Sequence, residues 1–193
     1  MAAPSAVGHI AFAPVTLRQV STLFLDLRDF GRFSAEHRPE AIADMLNLLW
    51  EGLGPAIRRY DGAIDKFMGD AILVTFNTET DQPDHASRAV ATAVDALHWV
   101  RDDFTWQGLR FHARAGVSTG EVAFGPVGTA GRKDVTVIGA RVNVAAVLQG
   151  KAGADQVVTD AETFRQLAGS YASQELGDVD VFGQHVQTYL IGL

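Results

Sequence analysis

Two aspartates interrupt apolar sequence that gives them no obvious reason to be there. Asp26 lies within the β-rich run STLFLDLR, and Asp70 closes DKFMGD just before a second apolar run, AILVTF. One sits near the end of a strand, the other at the tip of a hairpin that can pair beside that strand, so both can face one spot. Two nearby carboxylates repel, and burial disfavours their charged forms, which makes a cation the natural compensation. Hard oxygen ligands of this kind suit magnesium or manganese, and such ions need only one or two carboxylates when substrate phosphates supply the remaining oxygens. The chemistry within reach is metal-assisted work on a nucleotide. Taken singly the residues have plainer readings: Gly69 and Asp70 suit a tight hairpin turn, and Lys66 reads as a strand residue whose stem snorkels to solvent.

Positioning these side chains requires a sheet. Residues 21–28 read as a buried strand that turns into a helical region through RDFGRF. Ile42, Met45, Leu46, Leu49, Trp50, Leu53 and Ile57 recur at helical spacing, as do Ala86, Val90, Ala93, Val94 and Leu97. Between these two helices AIDKF and AILVTF form a hairpin. The segment RFHARAGVSTGEVAFGPVG predicts two strands joined near Thr119 and Gly120, followed by a loop TAGRKD, a short strand DVTVI, and a helix from Gly139 through Ala146. A strand at QVVT, a helix capped by Thr159 or Asp160, and a final strand pair around LGDVDVF and VQTYLIG complete the chain. Hairpins mixed with helices in this order predict a two-layer α/β sandwich, α+β in character, with a mixed and mainly antiparallel sheet and helices on one face. Residues 1–19 read as a lead-in and 20–193 as one domain.

Composition narrows the function classes. The 193 residues are 47% hydrophobic with a net charge of -7 and no cysteine. That is enough apolar sequence for one core, and the charge argues against a nucleic-acid partner. Without cysteine there are no disulfides or thiolate metal sites, as expected of a cytoplasmic protein. No apolar run is long enough for a membrane helix. The six histidines form no HExxH, GTAGRK lacks the spacing of a phosphate-binding GxxxxGK[ST], and GEVAFG fits no dinucleotide-binding pattern. Asp102 and Asp103 read as solvated helix-end residues.

Three stretches carry a resemblance. FLDLRDF at 24–30, DKFMGDAILVTF at 65–76 and GEVAFGPVGTAGRKDVTVIGARVNVAA at 120–146 resemble, in the same order, the motifs of class III nucleotidyl cyclase catalytic domains, over about residues 20–191. The resemblance implies the cyclase variant of a ferredoxin-like fold and conversion of a nucleoside triphosphate to a cyclic 3′,5′-nucleotide and pyrophosphate, between two head-to-tail domains. It implies that Asp26 and Asp70, with the Leu27 carbonyl, hold two Mg2+ or Mn2+ ions. Amides around Phe30 and Gly31 cradle phosphates, Lys66 and Thr136 read the base, and Asn143 orients the ribose. A lysine can only donate, which suits adenine N1, so ATP is the favoured substrate; the threonine hydroxyl leaves GTP or a pyrimidine nucleotide open.

The resemblance also has gaps. Four residues after Asn143, on the same helix face, relatives carry an arginine that neutralises the reacting phosphate, and this chain has Val147. The triphosphate lysine expected in the last hairpin is replaced by the Phe182, Gly183, Gln184 region, and Asp29 stands where a phosphate-loop glycine is usual. Arg141 points elsewhere on its helix. Three readings follow: a homodimeric cyclase drawing on another cation such as Arg132, Lys133 or Arg32; one half of a heterodimer; or a nucleotide-binding module without turnover.

Overall fold

The structure is a computed structural model that describes residues 14–129 and 131–192; most of the expected lead-in lies outside them. Strand β1 (Thr16–Leu27) begins before the apolar run and pairs antiparallel along its whole length with the long strand β6 (Ala113–Thr129). On its other side β1 pairs with β3 (Ala71–Phe76), which pairs in turn with β2 (Ala63–Met68). Beyond β6 come β8 (Gln156–Asp160), parallel to it, then β10 (Gln184–Ile191) and β9 (Ser173–Val181); β7 (Arg132–Ile138) folds back on the far end of β6. The β6–β8 pair is the one parallel junction among the described pairings, so the sheet is mixed and mainly antiparallel, as expected.

Helix α1 (Phe30–Glu36) follows β1 directly, and α2 (Pro39–Arg59) begins with Pro39 in its first turn, where the missing N–H costs nothing. The α2 residues Met45, Leu49, Leu53 and Ile57 are buried against Leu23, Leu25 and Leu27 of β1 and against α3 (His85–Asp102), in one apolar cluster. Truncating a fully buried leucine such as Leu49 in such a cluster costs roughly 2–5 kcal/mol. Helix α5 (Ala161–Gln166) joins the same side, with Leu167 just beyond it in the cluster, and is capped by Asp160, whose Oδ1 accepts the Thr163 N–H at 2.9 Å.

Helix α4 (Ala140–Lys151) packs on the other face. Side chains alternate along a strand, and the β1 residues of opposite parity, Val20 and Phe24, cluster with Val142 of α4. The one-face layering therefore holds for the helices before α4 and for α5, while α4 lies alone across the sheet. It lies close enough that a Cβ on Gly116 would sit 2.2 Å from the Ala145 carbonyl oxygen and the Gln149 nitrogen. Only glycine fits that crossing.

Three local expectations are corrected. The break expected near Thr119 and Gly120 is absent: both pair in the continuous β1–β6 ladder, opposite Ser21 and Val20. Ser118 and Thr119 look like turn formers because their hydroxyls need partners, and here buried neighbours supply them, Asp160 for Ser118 and Ser21 and Thr163 for Thr119. The β7 strand starts at Arg132 rather than Asp134, and α4 runs to Lys151 rather than ending at Ala146. A small ribbon, β4 (Thr105–Trp106) with β5 (Leu109–Arg110), was not expected.

Candidate active site

Two pairs stand out among the residues singled out in the sequence, Asp26 with Asp70 and Lys66 with Thr136, and among the described residues no hydrogen bond joins one pair to the other. The first forms where β1 ends. The β1–β3 register puts Asp26 opposite Ala71, the residue after Asp70. Asp70 occupies the second place of a two-residue turn whose first residue, Gly69, has φ 67°, the type II′ hairpin pattern. This holds the two carboxylates together. Burial first, then hydrogen bonding and repulsion from Asp26, push Asp70 up to about 7, against the opposing pull of backbone amides at Asp70 and Leu27. Two adjacent carboxylates, with Asp70 pushed up by burial and by its neighbour, are a donor set that fits a hard divalent ion. Among the described residues no three His, Asp or Glu side chains are arranged so that they could hold a metal ion together, so further ligands would be backbone, water or phosphate oxygens.

Asp26 has partners that sequence reasoning missed. Arg114 lies directly opposite it in the β1–β6 register and donates from Nη2 at 2.9 Å and from Nε at 3.3 Å; Gln149 of α4 donates from Nε2 at 2.7 Å. Arg114 is a cation already standing at the carboxylate pair. Its sequence signal is the alternation in ARAGV, which points it away from the core face occupied by Ala113, Ala115 and Val117, but the register that sets it against Asp26 links residues 88 apart.

Beside this pair, Asp29 takes φ 59° at the N-cap of α1, the left-handed conformation that glycine adopts freely and aspartate tolerates. The amides of Phe30 and Gly31 belong to the first helical turn, where backbone N–H groups have no intrahelical acceptor. Arg32 is exposed and pairs with Glu36.

The second group lies on β2 and β7. Lys66 Nζ donates to Thr136 Oγ1 at 3.0 Å, and both line an open pocket of about 450 Å³ with Asp65, Arg132, Lys133 and Asp134. Arg132 and Lys133, expected as substitute phosphate cations, thus stand with the Lys66 group and not with the carboxylates. Asn143 is exposed on α4. Its helical neighbour Val147 is half-buried and packs against an apolar cluster that includes Val144, Leu148, Val158, Val181 and Val186. Phe182 and Gly183, at φ 51° and 83°, form the two-residue turn between β9 and β10, with Phe182 82% exposed, so no cation occupies that tip. Arg141 is committed to Asp160, its Nη1 lying 3.5 Å from Oδ2.

Known proteins resemble this chain in sequence and fold. The model of the adenylate and guanylate cyclase catalytic domain matches residues 13–192. An adenylate cyclase of Anabaena cylindrica is 35% identical over 151 residues, covering 77% of this chain and 30% of its own length. The chain spans less than a third of the first curated relatives it matches. Among solved structures, the catalytic core of a rhodopsin-guanylyl cyclase with converted specificity, in complex with ATPalphaS, superimposes with a TM-score of 0.86 at 26% identity, over 92% of this chain and 97% of that one. The adenylyl cyclase CyaB from P. aeruginosa gives 0.83 at 26% identity, over 93% and 96%. The chain belongs to the family of adenylate and guanylate cyclase catalytic domains.

Proposed function

We propose that the chain is an adenylate cyclase that converts ATP to 3′,5′-cyclic AMP and pyrophosphate at sites shared by two head-to-tail chains. The observation that carries the choice of ATP is the Lys66–Thr136 pair, brought together across 70 residues at 3.0 Å. The lysine can donate to adenine N1 but not to guanine N1, which bears a hydrogen, and the threonine oxygen can accept from the adenine amino group. Asp26 and Asp70 would hold Mg2+ or Mn2+, with the Leu27 carbonyl as a further ligand. When bound, such ions favour loss of the 3′-hydroxyl proton and offset charge on the triphosphate. In the reaction the ribose 3′-oxygen forms a bond to the α-phosphorus, the bond from that phosphorus to the β-bridging oxygen breaks, and pyrophosphate leaves. Asn143 orients the ribose, the Phe30 and Gly31 amides face phosphate oxygens, and Arg114 supplies a guanidinium at the carboxylate pair.

Sharing between chains is supported by the division of the site residues into two groups without a hydrogen bond between them. Symmetry then gives a homodimer two equivalent sites. The lack of cysteine suits a cytoplasmic setting, and no helix among the described residues is long and apolar enough to cross a membrane. A second reading, a low-activity module or one half of a heterodimer, is favoured by Val147, which is uncharged and seated among apolar side chains.

The test is product analysis of the purified protein with ATP, GTP, CTP and UTP under Mg2+ or Mn2+, with Asp70→Ala as control. Cyclic AMP absent from the control is the expected result. Metal-dependent nucleotide binding with no product from any of the four supports the second reading.

A further inference from the structure

We propose that Asp65 fixes the hydrogen-bonding polarity of the base pocket, so that it takes a base bearing an amino group and rejects one bearing an oxo group at the same place. The proposal rests on the reading of Lys66 and Thr136 as base contacts. Strand β2 carries an irregularity here: Ile64 pairs with Val74, but the next paired residue, Lys66, lies opposite Leu73, so Asp65 is the extra residue of a bulge. A bulge re-aims side chains, and consecutive Asp65 and Lys66 both reach Thr136. The Asp65 side chain is 4% exposed and that of Lys66 43%.

Every contact of the Asp65 carboxylate is with a donor. Oδ1 accepts the Thr136 hydroxyl at 2.9 Å and lies 3.1 Å from Lys66 Nζ, and Oδ2 accepts the Val137 N–H at 3.2 Å. A threonine hydroxyl has one proton and two lone pairs. The proton goes to Asp65 and one lone pair receives Lys66 Nζ at 3.0 Å. What Thr136 has left for a base is a lone pair, which accepts from the amino group of adenine or cytosine and meets the oxo oxygen of guanine or uracil lone pair to lone pair. A threonine without this partner could turn its proton toward an oxo group. Asp65 removes that freedom without touching the nucleotide, which makes it a positioning residue.

The test is Asp65→Asn in the full chain, read as the ATP-to-GTP and CTP-to-UTP ratios of kcat/KM, or of Kd by calorimetry where turnover is slow. The asparagine has one acceptor oxygen where Asp65 has two: with that oxygen on the Val137 N–H, the NH2 meets Thr136 and Lys66 Nζ, so the hydroxyl has no carboxylate to donate to and its proton is released for an oxo base. Both ratios should fall about tenfold or more. Each ratio is read on one sample, so a loss of folded protein cancels. Thr136→Val, which leaves Asp65 in place, should itself lower the ratios, and adding Asp65→Asn to it should change them no further, because Asp65 acts through Thr136. Unchanged ratios in Asp65→Asn or in Thr136→Val, or a further change in the double variant, would overturn the proposal while leaving the cyclase reading intact. Wild-type protein that binds none of the four triphosphates would overturn both.

Discussion

The end of β1 and the seam between α4 and the β9–β10 hairpin would serve the same polyanion, yet they differ in charge. At the first, Asp26 accepts from Arg114 at 2.9 Å and is hydrogen-bonded to Asp70. At the second, Val147 packs among valines and leucines and an exposed phenylalanine caps the hairpin. On the proposed function, the first region offers the carboxylates that would bind metal, while the α4 side offers apolar contacts and no cation from Val147 toward phosphate. Folding does not explain the asymmetry. Buried carboxylates are costly and persist where something compensates them, whereas a valine facing an apolar cluster costs nothing. A site assembled from both regions is therefore strong in ligands and weak in phosphate cations, unless Arg114 or a second chain makes up the difference.

The largest expected effect breaks the first region. Asp70→Ala should lower cyclic nucleotide formation by about a thousandfold or more, because it removes half of the carboxylate pair. Asn143→Ala should also impair turnover, through the ribose. If each site takes Asp26 and Asp70 from one chain and Asn143, with Lys66 and Thr136, from the other, the two variants, mixed and allowed to exchange, should recover about a quarter of wild-type activity, since half of the dimers pair one of each and hold one intact site. No recovery in a mixture shown to contain mixed dimers would mean that each chain builds its site alone. A smaller effect sharpens the comparison from the other side. Val147→Arg returns a cation to the apolar region and should raise kcat about tenfold, with a modest loss of thermal stability as the cluster around Leu148 and Val186 loses a packed methyl pair. An unchanged or lower kcat would show that this face of α4 does not line the phosphate.

How much of this was legible in the sequence depends on the range of the signal. The stripe from Ile42 to Ile57, the hairpin at Gly69 and Asp70 and a cap at Thr159 or Asp160 rest on local periodicity and turn chemistry; the structure has the first two and settles the cap on Asp160. Thr119 and Gly120 misled because a polar run with a glycine reads as a turn, and its buried hydroxyl partners on Ser21, Asp160 and Thr163 are remote in sequence. Arg114 went unseen because alternation gives its face but not the register that sets it against Asp26, 88 residues away in sequence. Asp65 was hidden by its bulge: strict alternation would have turned it away from Lys66 and Thr136. Asp26 and Asp70 are singled out by residue type and placement, and the roles of Lys66, Thr136 and Asn143 by the motif resemblance; their hydrogen-bonded neighbours are set by the fold.

The smallest expected effect is on stability, and it contrasts Asp70 with a buried group away from the carboxylate pair. Asp70 titrates at about 7 in the fold against an ordinary 3.8. Between those values the metal-free fold holds a proton that the unfolded chain has released, so this group lowers stability as pH rises through that window. His85 does the opposite. It is buried, with Nδ1 2.8 Å from the Ser21 hydroxyl, and burial holds it below its ordinary 6.5. As pH falls below 6.5 the unfolded chain gains a proton before the folded one does, and stability is lost on the acid side. In metal-free protein followed by thermal unfolding from pH 4 to 7.5, Asp70→Asn should remove the decline toward neutral pH, raising Tm by a few degrees near pH 7 and little near pH 4. His85→Gln should flatten the acid side instead. With Mg2+ or Mn2+ added, the wild-type Tm should gain more at pH 7.5 than at pH 5, because a cation at the carboxylate pair competes with the Asp70 proton, and Asp70→Asn should lose most of that gain. Equal gains at both pH values in wild type and variant would place metal binding away from Asp26 and Asp70.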